Sequence, residues 1–160
     1  MRPTPTLVFG AATALPAACV CIALFTQHGL GMQPCPWCVL QRAIFLSISL
    51  AALLGLVWGQ ALVRRLAALL MLALAACGMA AALWQHFVAA ASASCNMTFA
   101  DRVMTGLGLD SLWPEVFGAY ASCADAAAKL LGVPYEFYSL TIFVVLGAAA
   151  IWLLRQRRIV

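Results

Sequence analysis

Four apolar runs leave this 160-residue chain few ways to fold. They cover residues 7–27, 39–61, 66–87 and 137–154, each close to the roughly 20 residues a helix needs to cross a bilayer core of about 30 Å. Lipid offers the backbone no hydrogen-bond partners, so such runs form helices rather than open strands. Two-thirds of the chain is apolar and only 9% is charged, whereas a water-soluble domain of this size carries about a quarter charged residues. Lipid must therefore replace water around much of the molecule. The expected architecture is all-α: a single four-span membrane domain over residues 1–160, with a short connection at 28–38 and a long one at 88–136.

The charges orient the bundle. With four crossings, Arg2, Arg64, Arg65, Arg155, Arg157 and Arg158 fall on one face, with Arg64 and Arg65 in the connection between the second and third spans. Basic residues collect on the cytoplasmic side. All five acidic residues (Asp101, Asp110, Glu115, Asp125, Glu136) lie in the long connection on the opposite face. Both termini are thus expected in the cytoplasm and both cysteine-bearing loops outside it. The basic residues form no long stripe, so the net charge of +4 points to no nucleic acid. "LPAAC" at residues 15–19 is similar to a lipoprotein cleavage site, but the apolar run continues through "IALF", beyond the length of a signal core. The first run is expected to be retained as a span, with Pro16 tolerated inside it.

This topology sorts the seven cysteines. Cys19, Cys21 and Cys77 lie within spans, where a thiol behaves as a small apolar group and is inert. Cys35 and Cys38 stand at the mouth of the second span, in "QPCPWCVLQR", and Cys95 and Cys123 in the long connection. These four face a compartment that in bacteria is oxidising. Two structural disulfides, a zinc site joined by His28 or His86, or a dithiol that cycles between oxidation states are all open to them. Covalent haem in its usual form is excluded, because Val39 follows Cys38 where a histidine is needed.

The surroundings favour the cycling dithiol. Pro36 pushes Cys35 away from helical geometry and is itself suited to the first turn of a helix. Cys35 then precedes the second helix and Cys38 lies in its first turn. Arg42, four residues on, shares a face with Cys38. The helix N-terminus and the guanidinium both favour a thiolate there. The plainer role for Arg42 is an anchor at the bilayer edge. Leu109, Leu112, Trp113, Val116 and Phe117 have the spacing of one helical face, and Pro114 argues against an uninterrupted helix. They form a short interfacial element that either tethers the long loop near the membrane or docks it on the bundle.

These motifs together resemble the DsbB family, bacterial disulfide bond formation protein B, over nearly the whole chain. The resemblance rests on "PCPWCVLQR", on Gln27 and His28 before it, on "LWQH" at the end of the third span and on "SC" at Cys95. It continues through "LWPEVF", "ASC" at Cys123 and "LGVPYEFYSL" at the fourth span. It implies a membrane oxidoreductase that reoxidises a periplasmic thioredoxin-like thiol oxidase of the DsbA kind and passes the electrons to ubiquinone or menaquinone. It implies disulfides Cys35–Cys38 and Cys95–Cys123, with Cys95 the sulfur that the partner attacks. It also implies a quinone contact through Cys38, Arg42 and His86, and no metal. His86 has a plainer role as a cap of the third helix. The inner membrane, its quinone pool and the DsbA-type protein are the expected surroundings and partners. A vitamin K epoxide reductase-like protein would place its membrane Cys-x-x-Cys in a late helix. A metal-holding scaffold would bind zinc through the four outer cysteines, and a transporter would carry polar groups at mid-membrane, where these spans offer little beyond Ser47, Ser49 and Thr141.

Overall fold

The computed structural model describes residues 3–91, 97–127, 129–130 and 132–156. Four long apolar helices make up most of it: α1 (Pro5–Leu30), α2 (Pro36–Val57), α3 (Ala61–Trp84) and α7 (Tyr135–Arg155). Each is long and apolar enough to cross a membrane. α1 packs on α2, α2 on α3 and α3 on α7, and α7 closes the bundle against α1. The expected all-α four-helix architecture is what the chain adopts.

Local chemistry starts and stops these helices. Thr4 caps α1 by accepting the Leu7 N–H, with Pro5 at the first helical position. Gly31, in the left-handed region at φ 69°, ends it, a conformation only glycine adopts without strain. α1 runs through Pro16 without a break. Close beside the carbonyl that this proline leaves unpaired, Ser49 of α2 bonds the Thr13 carbonyl at 2.7 Å.

Small residues let the helices approach. A Cβ on Gly55 would lie 2.5 Å from the Phe9 ring, and one on Gly78 would lie 2.3 Å from Phe143. Phe143 in turn stacks on Phe45 with centroids 4.1 Å apart. These rings, with Ile48, Met71, Leu146 and Leu153, form the core of the bundle.

The second and third helices begin earlier than the apolar runs suggest. Only Trp58–Gln60 separate them, so Arg64 and Arg65 belong to the opening turns of α3 rather than to the connection. Arg64 is buried. Its Nε bonds the Gly55 carbonyl at 3.1 Å, its Nη2 bonds the Thr6 hydroxyl at 3.3 Å, and its guanidinium lies over the Phe9 ring. A cation that satisfies the end of the preceding helix does not need a loop, which is why the charge did not mark one.

At the opposite end, α3 continues into a π-helical turn, Gln85–Ala89. The long connection carries α4 (Phe99–Gly106), α5 (Leu109–Leu112) and α6 (Pro114–Phe117), then a two-stranded antiparallel ribbon of β1 (Lys129–Leu130) and β2 (Val133–Pro134). α4 opens on a capping box in which Thr98 and Asp101 satisfy each other's backbone N–H. The expected interfacial element is present as two single turns, α5 and α6, broken at Trp113, just before Pro114. Its apolar residues divide between two surroundings. Phe117, Leu109 and Val116 pack with Val39 and Met104 against α2, while Leu112 and Trp113 point outward, 76% and 63% exposed.

Candidate redox site

Cys35 occupies the cap position of α2, with extended backbone (φ −89°, ψ 166°), as Pro36 requires. Its sulfur accepts the Cys38 N–H at 3.3 Å, and its carbonyl accepts the Val39 N–H at 3.0 Å. Cys38 then sits in the first turn, with its sulfur 2.9 Å from that of Cys35. The two sulfurs are in contact and no disulfide bond joins them in this structure.

The long connection brings a third sulfur to this pair. The Tyr120 and Ala121 N–H groups both donate to the Pro34 carbonyl, at 3.0 and 3.3 Å, which pins the approach to Cys123 against the residue before Cys35. A turn closed by Ser122 and Asp125 then aims Cys123 inward. Cys35, Cys123 and Trp37 are buried in one cluster with Ala81, Ala89 and Ala100. The Cys35 thiol hydrogen-bonds to both Cys123 and Cys38. Those two bonds, Cys123 first, and then burial hold the Cys35 thiol far above its ordinary range. The bond from Cys35 holds Cys123 below its own, against the opposing effect of burial. Cys35 is therefore the proton donor, and Cys123 the more thiolate-like of the two. Cys95 lies outside the described residues, and so does the expected Cys95–Cys123 bond.

On the other side of Cys38 lies a cavity of about 510 Å³, within the roughly 300–1,000 Å³ common for small-molecule sites. Its apolar wall comes mainly from α1 and α7. Its polar groups are Cys38, Gln41, Arg42, Gln85 and Glu136, joined by hydroxyl-bearing residues of α7. Gln85 donates to the Cys38 sulfur at 3.3 Å and accepts from Gln41 at 2.7 Å.

Arg42 faces the same cavity, as its spacing from Cys38 suggests, but its hydrogen bonds go elsewhere. They reach the Gln27 side chain at 2.6 Å, the Val116 carbonyl of α6 at 3.0 Å and the Ala23 carbonyl at 3.5 Å. Gln27 also donates to the Glu115 carbonyl at 3.3 Å. Arg42 therefore ties α6 to α1 and α2 beside the cavity, and its charge reaches Cys38 through space.

His86 stands next to Gln85 but turns away from Cys38. Its Nδ1 meets Glu136 Oε1 at 2.6 Å, and its ring lies against Phe87 and Phe137. It is Glu136, from the first turn of α7, that lines the cavity.

Sequence reasoning did not single out Gln41, Gln85 or Glu136. A polar residue at the end of an apolar run was the available signal for Gln85, and an acid opening the fourth span was the signal for Glu136. Cys19 lines the cavity, whereas Cys21 and Cys77 lie on outer faces of the bundle.

Comparison with known proteins points to one family. The family model described as disulfide bond formation protein DsbB matches residues 5–153. Relatives named disulfide bond formation protein B include one from Pseudomonas syringae pv. tomato, 36% identical over 76% of this chain and 73% of its own. Another, from Nitrosospira multiformis, is 30% identical over 98% of this chain and 95% of its own. A third, from Stutzerimonas stutzeri, is 28% identical over 88% and 89%.

Proposed function

The chain belongs to the DsbB family of disulfide bond formation proteins, and from that premise we propose that it is a protein-dithiol:quinone oxidoreductase of the bacterial cytoplasmic membrane. It reoxidises a periplasmic thioredoxin-like oxidase of the DsbA kind. The observation that carries this reading is Cys35 in contact with both Cys123 and Cys38, with Cys38 on the wall of a mostly apolar cavity.

The relay runs by thiol–disulfide exchange. A partner thiolate attacks Cys95 in a Cys95–Cys123 disulfide, and Cys123 leaves as a thiolate. Cys123, already beside Cys35, attacks Cys35 in the oxidised Cys35–Cys38 pair. One S–S bond forms as the other breaks, and Cys38 leaves. The better leaving sulfur is the one whose thiolate is better stabilised. Buried Cys35 has the Cys38 backbone N–H alone, whereas Cys38 has the Gln85 donor, the helix N-terminus and the Arg42 charge.

The cavity residues fit a quinone: an apolar enclosure for a lipid-soluble ring, with the donors of Gln41, Gln85 and Arg42 and the sulfur of Cys38 on its wall. Bound there, it would supply an acceptor for two electrons and two protons. Arg42 and Gln85 orient and polarise that site, and the bonds of Arg42 to the Gln27 side chain and the Val116 carbonyl fix its guanidinium there.

The test is anaerobic. Purified protein is mixed with a reduced thioredoxin-fold partner and excess ubiquinone-1, and quinol formation is followed. Cys38→Ser is expected to abolish it. Arg42→Ala is expected to lower it about 10–100-fold, since a hydrogen bond from a charged group is worth roughly 1.5–3 kcal/mol. Equal rates in parent and Cys38→Ser would refute the proposal.

A further inference from the structure

We propose that His86 and Glu136 form the proton path into the cavity, with Glu136 the group that delivers protons to the acceptor. This inference rests on the reading of the cavity as a quinone site. Three observations meet at the pair. Glu136 is almost fully buried, with its side chain 7% exposed, yet it lines the cavity. His86 does not line it and keeps 30% exposure. A contact of 2.6 Å joins the two. A carboxyl facing a cavity, backed by a partly exposed imidazole, is an arrangement through which protons pass between the outside and the cavity. Both Gln85 and His86 belong to the π-helical turn that follows α3. Adjacent residues serve different neighbours there, Gln85 the sulfur of Cys38 and His86 the carboxyl of α7.

The other titratable or charged groups on the cavity wall are Cys19 on α1, Cys38 and Arg42 on α2, and Tyr135 and Tyr138 on α7. Arg42 is committed to Gln27, Ala23 and Val116. Cys38 also lines a second cavity of about 390 Å³, whose other titratable or charged members are Arg42, Asp125 and Tyr135. Neither Glu136 nor His86 belongs to it, so the route assigned to the protons is separate from it. Oxidation of a dithiol to a disulfide releases two electrons and two protons, and reduction of a quinone to quinol consumes two of each. Cys38 delivers the electrons. Glu136 gives up a proton to a quinone oxygen and recovers one from His86, which is recharged from the cysteine-bearing surface where the thiols released theirs. Two such transfers close the balance and return the pair to its starting state.

A purely structural role, the pinning of α3 to α7, makes different predictions from proton delivery. The experiment compares the full-length parent with Glu136→Gln, Glu136→Asp and His86→Ala, using ubiquinone-1 as the probe. Affinity is read by tryptophan fluorescence quenching, quinol formation at saturating probe is followed in the presence and absence of imidazole, and the protonated-carboxyl infrared band is recorded on reduction. Glu136→Gln should bind the probe as the parent does, lose the carboxyl signal and form quinol about 10²-fold more slowly, at the lower end of what a positioned acid contributes. Glu136→Asp should restore part of the rate. His86→Ala should be slow and be rescued by free imidazole, which a pin cannot explain and which serves equally if Glu136→Gln fails to fold.

The path is overturned if Glu136→Gln keeps the parental rate. It is also overturned if Glu136→Gln loses affinity alone, or if imidazole leaves His86→Ala unchanged. A parent that neither binds nor reduces the probe would instead overturn the quinone reading itself, and the proton path with it.

Discussion

Cys35 is the residue on which the proposed electron relay turns. Held at a helix cap by Pro36 and buried between Cys38 and Cys123, it keeps its proton, while its hydrogen bond lowers Cys123. The sign of that coupling is testable in the reduced protein. A thiol whose thiolate is stabilised reacts with iodoacetamide at lower pH, and removing the stabilising donor moves its profile toward alkaline pH. In Cys35→Ala, the pH midpoint for alkylation of Cys123, followed by peptide mass spectrometry, should therefore rise relative to the parent. In the parent, Cys123 should react at lower pH than Cys35. An unchanged Cys123 profile would mean that the contact does not tune it. Part of this site was readable from the chain alone. The placement of Cys35, Cys38 and Arg42 follows from spacing within a few residues, because helix geometry converts such spacing directly into a shared face. Gln85 and Glu136 were not readable, because each acts on a residue 47 or 50 positions away, across packing that no local pattern encodes.

At the scale of elements, the α5–α6 segment joins the loop chemistry to the bundle. The spacing of its apolar residues was legible, but a single stripe does not say which members face protein and which face outward. The break at Trp113 divides them. Phe117 is buried against α2 beside the carbonyl that Arg42 holds, whereas Trp113 is exposed. Substitutions at the two positions should therefore separate. Phe117→Ala should loosen the docked loop by about 3–5 kcal/mol, the range for truncating a buried phenylalanine, and limited proteolysis should then cut within residues 97–127 far faster than in the parent. Trp113→Ser should leave that protection intact and instead reduce tryptophan quenching by brominated lipid. Equal protease sensitivity of Phe117→Ala and the parent would contradict the docking. The helix ends illustrate the same limit. Arg64 looked like a loop residue because charge marks a boundary, yet its bond to the Gly55 carbonyl buries it within a helix.

For the whole molecule, four apolar helices of membrane-spanning length establish a multi-pass membrane protein of the disulfide bond formation family. That much was visible in the hydropathy and charge pattern, because length and composition alone decide whether a helix can live in lipid. What the bundle adds is a meeting place. One end of α2 collects a sulfur from the long loop, a sulfur from its own cap and a sulfur on a cavity wall within a single buried cluster and its edge. The account therefore requires the Cys123 sulfur to move between partners with the fold intact. The most direct measurement challenges the air-oxidised protein, without added quinone, with a thioredoxin-fold partner whose second active-site cysteine is replaced by serine. Acid quenching, alkylation and peptide mapping follow. The account predicts a Cys35–Cys123 cross-linked peptide, the partner held on Cys95 and Cys38 alkylated as a free thiol. A Cys35–Cys38 disulfide left intact, with Cys123 alkylated instead, would contradict it.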